Sequence, residues 1–257
     1  MPLTLAHTAA ALPLHAVARR RGLAVPLSAL VIGSMTPDFE YLARLRPQGT
    51  IGHSAIGLVV FCLPVGLGAW LVFRSLVAPA LVRLLPSGLA AAPPIGSPAR
   101  GASRMLLAAA GILLGATSHI IWDSFTHGGG WVVARVAWLR APAAATLVPG
   151  LRWYTVLQHA STVVGLAVIS IALTRWIRRQ PHDPRRFGDG EAWRFVGVAA
   201  AVLAVATVGA VLNASRAMAG TASALGLAAV GGMSALAIAM LVYGLIAAAR
   251  EGQRRVG

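Results

Sequence analysis

Residues 105–127 of the chain read MLLAAAGILLGATSHIIWDSFTH, an apolar stretch whose end carries three evenly spaced polar side chains. A helix needs roughly 20 apolar residues to cross a hydrocarbon core of about 30 Å, and this stretch is long enough. His119, Asp123 and His127 follow one another at steps of four residues, and each step turns a helix by about 400°. The three side chains are therefore expected to form one slowly drifting stripe at one end of a spanning helix.

The composition indicates an integral membrane protein. The 257 residues are 57% hydrophobic and only 11% charged, with a mean hydropathy of +0.74, which is far from the mixture of a soluble domain. The net charge of +15 comes from arginine alone, and the arginines lie mostly between apolar runs. This distribution is typical of membrane anchoring and argues against nucleic-acid binding.

Five segments are long and apolar enough to cross a membrane as helices, and they lie at 54–73, 105–125, 155–174, 195–213 and 224–249. Between the first two, residues 79–104 contain five prolines and are predicted to form a loop. The three glycines that begin at Gly128 are predicted to end the helix that carries His127. Arginines at several segment ends have the positions of interface anchors.

The N-terminal region is predicted to be helical without spanning the membrane. Residues 3–18 are expected to form a helix that begins at Thr4 and is interrupted at Pro13. Residues 23–35 are apolar but too short to span, so they are predicted to be re-entrant or interfacial and to deliver Asp38 to the surface. The sequence thus predicts an all-α, multi-pass bundle of about five transmembrane helices with an interfacial or re-entrant helical region at its N-terminus.

Three parts are predicted along the chain. Residues 1–178 are expected to form a membrane-embedded domain with the histidines and carboxylates, residues 179–194 a polar loop, and residues 195–257 a C-terminal pair of transmembrane helices. The two spans of the last part contain no carboxylate or histidine, so their expected task is packing. Small residues such as Gly231 allow close contact between such helices.

Five crossings gather the polar residues on one side of the membrane. By parity, the start of the first span, the end of the second and the start of the third lie on the same side. That side receives all acidic residues before residue 183 and most of the histidines: Asp38, Glu40, Asp123, His7, His53, His119, His127 and His159. Mixtures of imidazole and carboxylate suit zinc or another divalent ion, and several carboxylates can hold two.

A structural role is the alternative for each of these residues. His15 and His159, near helix ends, are typical of hydrogen-bonded structural histidines. His53 is either part of a helix cap or a ligand, and Asp38 is either a turn residue or a ligand. Asp123 lies among apolar neighbours, where an unpaired carboxylate is costly, so the stripe favours metal binding or catalysis over a simple Asp–His pair.

Four motifs stand out in the chain: Leu5-Ala6-His7, the run from Gly33 to Tyr41 around Thr36-Pro37-Asp38, His53-Ser54, and the run from Gly115 to His127. Together they resemble an uncharacterised family of bacterial multi-pass membrane proteins that is filed as a domain of unknown function. The resemblance covers most of the chain, and it implies a multi-pass membrane protein without implying an activity.

More distantly, the order His, Asp, His-Ser and His-x-x-x-Asp is similar to that of predicted inner-membrane metal-dependent hydrolases, of zinc-dependent phospholipase C and of related nucleases. This resemblance implies one set of metal ligands: His7, Asp38, His53, His119 and Asp123. It makes His127 a further ligand or a partner of one. The phospholipase pattern continues with a His-x-x-x-Glu helix, whereas Val163 follows His159 at that spacing here, so a complete three-metal site is not implied.

Two functional hypotheses follow. The first is a metal-dependent hydrolase, with zinc or another divalent ion, that acts on a phosphoester or lipid-like substrate at the membrane interface, with Asp123 and His127 as the catalytic candidates. The second is a non-enzymatic scaffold or transporter whose His/Asp cluster is structural. A transporter is disfavoured because the fourth and fifth spans offer no polar path. Expected partners are membrane lipids and a small-molecule or lipid substrate, not nucleic acid, and the expected location is the inner or plasma membrane.

Overall fold

The computed structural model describes residues 3–84, 102–143, 150–179, 189–217 and 224–256, and within them the fold is helical without β-strands. Five helices are long and apolar enough to cross a membrane, and they are called spans one to five: Ala55–Leu84, Ala102–Arg135, Trp153–Arg178, Phe195–Ala214 and Ala224–Gln253. The predicted all-α, multi-pass architecture is confirmed. The helices containing spans four and five extend over Asp189–Ala214 and Ala224–Val256.

The N-terminal region consists of four short helices, Thr4–His7, Ala11–Arg20, Leu27–Gly33 and Phe39–Arg44, with 3-10 turns at Thr8–Ala10 and Thr36–Asp38. The predicted start at Thr4 is confirmed. Pro13 lies in the first turn of Ala11–Arg20, where its missing N–H is tolerated, so the helix continues past it. The irregular segment is the 3-10 turn Thr8–Ala10, which precedes this helix.

Span one is longer than predicted because its helix continues through Arg74 and Pro79 to Leu84, and the prediction of a loop from 79 was wrong there. A π-helical turn at Phe73–Val77 lies directly before Pro79. Such a turn rearranges the backbone where proline removes a helical hydrogen bond, so the helix is not broken. Residues 85–101 of the predicted loop lie outside the described residues.

Span two has a break at its polar end, as predicted. Its long helix is Ala102–Thr126, and the glycines that follow His127 separate it from two short helices, Trp131–Arg135 and Ala137–Arg140. The backbone N–H of His127 still donates to Asp123 O at 3.1 Å, so His127 lies just beyond the last helical turn.

The chain divides into two compact units. The first comprises Met1–Glu40, Gly49–Leu67 and Ala99–Leu173, and the second comprises Tyr41–Gln48, Gly68–Pro98 and Thr174–Gly257. The predicted parts 1–178, 179–194 and 195–257 stay a prediction. Residues 180–188 of the predicted polar loop lie outside the described residues.

In the first unit, the short helix Leu27–Gly33 packs closely on span two. A Cβ on Gly33 would collide with the backbone of Ile112, and a Cβ on Gly115 would collide with the carbonyl of Leu30. Only glycine at both positions lets the two backbones approach this closely. The contact holds the residues after Gly33 against the polar end of span two.

In the second unit, spans four and five also meet through glycine, since a Cβ on Gly231 would collide with the carbonyl of Gly209. Asn213 lies at the end of span four, and its Nδ2 donates to Leu227 O at 2.7 Å and to Leu45 O at 3.1 Å. These contacts explain how a polar amide is buried in an apolar helix pair. They agree with the expected packing task of this part of the chain.

Candidate metal centre

Five ionisable side chains converge in the first unit: His7, Asp38, His53, His119 and Asp123. They come from the first N-terminal turn, the turn Thr36–Asp38, the loop before span one and the last turns of span two. Asp38 and His119 have exposed fractions of 0% and 1%, so the expectation that Asp38 lies at the surface was wrong. Carboxylates and imidazoles at such depth require partners, and here they face one another.

Four atoms that could bind a metal ion, two imidazole nitrogens and two carboxylate oxygens, form a closed four-atom ring. His53 Nε2 lies 3.4 Å from Asp38 Oδ1 and 3.6 Å from Asp123 Oδ2. His119 Nε2 lies 3.6 Å from Asp38 Oδ1 and 3.2 Å from Asp123 Oδ2. Ligand atoms about 2.0–2.1 Å from a tetrahedral zinc ion are about 3.3–3.4 Å apart, so these four edges have the length expected between ligands of a two-histidine, two-carboxylate metal site.

The same distances are long for hydrogen bonds, in which N and O are usually about 2.9–3.0 Å apart. Asp38 Oδ1 and His119 Nε2 are both buried and make no hydrogen bond. Buried polar atoms in native proteins nearly always have a partner, and a bound ion is one of the explanations when they do not. The site is therefore arranged to hold an ion.

The remaining atoms of two ring residues are already held by the protein. His119 Nδ1 lies 2.7 Å from Ser34 O, which fixes the tautomer in which Nδ1 carries the proton and Nε2 presents a lone pair to the ring. Thr4 Oγ1 donates to Asp38 Oδ2 at 2.5 Å and leaves Asp38 Oδ1 for the ring. Supporting contacts of this kind are typical of metal ligands.

The loop before span one positions His53. Glu40 Oε2 accepts hydrogen bonds from the backbone N–H groups of Thr50, Ile51 and Gly52 at 3.0, 3.1 and 3.2 Å. Ser54 then caps the helix of span one, since its Oγ accepts from the N–H of Gly57 at 2.9 Å. Capping and ligation were alternatives for this pair of residues, and the structure assigns the cap to Ser54 and the ring position to His53.

Asp123 faces two sets of histidines with its two oxygens. Oδ2 belongs to the four-atom ring, whereas Oδ1 lies 3.4 Å from His7 Nε2 and 3.5 Å from His127 Nδ1. The His7 ring also stacks on His119, with centroids 3.8 Å apart. Within the described residues, His7, His119 and Asp123 form a second group with metal-ligand spacing, beside Asp38, His53 and His119. A carboxylate in this position can serve two ions.

No curated protein and no solved structure is significantly similar to the chain. A family described as Domain of unknown function (DUF4184) matches residues 1–245. The chain belongs to this family. The expected membership of an uncharacterised family is thus confirmed, whereas no comparison supplies the expected similarity to hydrolases.

The surroundings shift the pKa values of two histidines that precede span one in opposite directions. Burial, assisted by the neighbouring His119, lowers the pKa of His7 to about 4, so its ring is neutral at pH 7. Burial also opposes protonation of His53, but contacts with the Asp123 and Asp38 carboxylates outweigh it and raise the pKa of His53 to about 9. A metal ion at His53 would displace that proton.

Two histidines of the described part of the chain do not join the cluster. His15 Nδ1 lies 3.1 Å from Val25 O, which is the structural hydrogen bond expected for it. His159 is exposed on span three. Conversely, no sequence pattern indicated that Thr4 holds Asp38 and that Ser34 holds His119, because the two pairs are 34 and 85 residues apart along the chain. Glu40 was expected near the cluster, but its role in holding the loop before His53 was not foreseen.

Proposed function

We propose that the protein is a membrane-embedded hydrolase that depends on zinc or another divalent ion and acts on a phosphoester of a lipid or lipid-like molecule. The observation that carries the proposal is the ring of four donor atoms with edges of 3.2–3.6 Å. If the cluster were purely structural, the hydrogen bonds between its imidazole rings and its carboxylates would be shorter. The membrane proposed is the inner or plasma membrane.

The chemistry of the ligand set supports hydrolysis. A divalent ion bound there supplies a water of lowered pKa and a positive charge beside the phosphoryl group. Asp38, His53, His119 and Asp123 would hold the ion through the four-atom ring, and the second oxygen of Asp123 faces His7 and His127. Water adds to phosphorus, the P–O bond to the alcohol breaks, and a proton passes to the leaving oxygen.

His127 is the proposed source of that proton. Its ring is partly buried, its Nδ1 lies 3.2 Å from Asp123 O, and its Nε2 is buried without a hydrogen bond. Because Nδ1 donates to this carbonyl, Nε2 is the ring nitrogen without a proton, so His127 would take a proton from the attacking water at Nε2 and then give it to the leaving oxygen. Asp123 is the proposed second catalytic residue because it touches both groups of potential ligands.

Metal content tests the first half of the proposal. Detergent-purified protein is expected to contain at least one equivalent of a divalent metal by plasma mass spectrometry, and His119→Ala is expected to lose it. His159→Ala is the matched control, since this histidine is exposed on span three and lies outside the cluster. Metal-free wild type, or equal metal in both variants, contradicts the metal centre.

Hydrolysis tests the second half. Metal-loaded protein in phospholipid nanodiscs is expected to hydrolyse bis(p-nitrophenyl) phosphate or phosphatidylglycerol, with His127→Ala slower by about 10²–10⁴-fold, as for the loss of a general acid. Stoichiometric metal without hydrolysis of any phosphoester would reject the hydrolase and leave the metal centre standing.

A further inference from the structure

An apolar groove of about 550 Å³ runs beside the candidate metal centre within the first unit. This volume lies in the range of about 300–1,000 Å³ that is usual for ligand pockets. Its walls belong to the N-terminal segment, span two and span three, and most are small or aliphatic, including Ala6, Ala10, Ile121, Leu157, Val164 and Val168. The groove is thus suited to hydrocarbon.

The polar side chains in the walls do not change this character. Ser118 Oγ donates to Gly115 O at 2.7 Å, and Ser161 Oγ donates to Gln158 O at 3.0 Å. Both hydroxyl protons are therefore used within their own helices. Among the described residues that line the groove, His7 is the ionisable one, and its Nε2 lies 3.4 Å from Asp123 Oδ1. The groove and the centre share this histidine as a wall.

The groove has the length of one membrane leaflet. Its lining on span three extends from Leu157 to Val168, which corresponds to about 16 Å of helix at 1.5 Å per residue. This is about half of a hydrocarbon core of about 30 Å. The lined half begins close to Trp153, where span three starts, and five crossings would put this end on the same side of the membrane as the cluster.

The position of the groove selects among apolar occupants. Its walls include His7, whose Nε2 lies 3.4 Å from Asp123 Oδ1, so an occupant of the groove lies beside the candidate metal centre. A hydrocarbon chain that carries a polar head group matches an apolar groove beside a polar cluster. A partner helix carries no such head group, and label that unlabelled lipid does not displace is the result expected for it.

We propose that this groove holds a hydrocarbon chain of the substrate, so that the substrate is a membrane lipid whose anionic head group lies at the candidate metal centre. The lipid belongs to the leaflet on the cluster's side. The head-group chemistry rests on the proposed function, but binding of the hydrocarbon chain in the groove requires no metal. Chain binding and hydrolysis can therefore be tested separately.

Two neighbouring valines of span three give a matched pair of variants. Val164 lines the groove, whereas Val163 does not, and the two side chains are similarly exposed, at 61% and 68%. Val164→Trp is expected to fill the groove. Val163→Trp places the same indole on the neighbouring face of the same helix, and neither substitution removes a buried contact.

The probe is phosphatidylglycerol with a diazirine in the middle of one acyl chain, added to the protein in detergent micelles and photolysed. Peptide mass spectrometry is expected to find label near Ala6–Ala10 and on 157–168, and excess unlabelled phosphatidylglycerol is expected to compete with it. Val164→Trp should lower this saturable labelling by about tenfold, as expected when more than one methylene contact is displaced, and Val163→Trp should leave it unchanged.

Label that is not competed, or that falls equally in both variants, would overturn the groove proposal. Asp123→Asn separates it from the proposed function, since this variant should lose metal and hydrolysis but keep saturable labelling. If labelling is saturable and sensitive to Val164→Trp while the wild type binds no metal, the lipid site stands and the hydrolase does not.

Discussion

Thr4 has no metal-binding group of its own, but its hydroxyl orients a carboxylate that could bind a metal ion. Its hydroxyl donates to Asp38 Oδ2 at 2.5 Å, and both residues are fully buried. A carboxylate held through one oxygen presents the other in a fixed direction, which lowers the entropy lost when an ion binds. The motif around Asp38 identified it as a candidate ligand, but the threonine that orients it comes from a different helix.

Thr4→Val is expected to weaken metal binding by about 10–100-fold, which is typical for removal of a contact that orients a ligand. Valine keeps the shape of threonine and removes the hydroxyl donor. Thr8→Val is the control, because Thr8 Oγ1 donates to Leu5 O at 2.7 Å and does not contact the cluster. Titration of metal-free protein with zinc and a competing chelator measures the effect, and equal affinities in the two variants would contradict the assigned role of Thr4.

The packing of helices explains why residues far apart in sequence meet at the cluster. Gly33 and Gly115 bring the helix Leu27–Gly33 against span two, and this contact places Ser34 O beside His119 Nδ1. The sequence predicted the stripe on span two because its period is local. It could not predict the partner of His119, because that depends on how closely two backbones approach.

Gly115→Ala is expected to lower the free energy of unfolding by about 1–3 kcal/mol, because the added methyl group collides with the carbonyl of Leu30. Gly68→Ala is the control, since a Cβ at this helical position meets no atom within 4 Å. Cys62 is the single cysteine and is fully buried, so a thiol-reactive dye reports unfolding on heating. A melting temperature for Gly115→Ala equal to that of Gly68→Ala would argue against close packing here.

The sequence was most informative about the whole chain and less so about its details. Hydropathy alone placed five spans, because each hydrophobic segment must satisfy its backbone internally and therefore becomes a helix. It ended span one too early, because the rule that proline breaks helices fails where a π-helical turn precedes Pro79. Parity then predicted that His53 and the stripe would meet, and the structure brings them together through Asp123.

The same parity predicts the topology. Five spans put Gly129, just after the long helix Ala102–Thr126 of span two, and Gly252, near the end of span five, on opposite sides of the membrane. Arg19, Arg20 and Arg21 lie on the cluster's side, but more arginines lie on the side of Gly252, including Arg175, Arg178 and Arg179. The tendency of arginine to remain in the cytoplasm therefore favours a cluster outside it. The lipid substrate would then come from the outer leaflet of that membrane.

Single cysteines test this arrangement in a Cys62→Ser background, in which serine keeps the side-chain donor that Cys62 directs to Gly52 O. A Cβ at Gly129 or at Gly252 meets no atom within 4 Å, so Gly129→Cys and Gly252→Cys should be accessible. In intact cells, an impermeant thiol reagent is expected to label Gly129→Cys, and Gly252→Cys only after permeabilisation. Labelling of both in intact cells would contradict five crossings, whereas the reverse pattern would keep the five crossings and move the cluster, with its substrate, to the cytoplasmic leaflet.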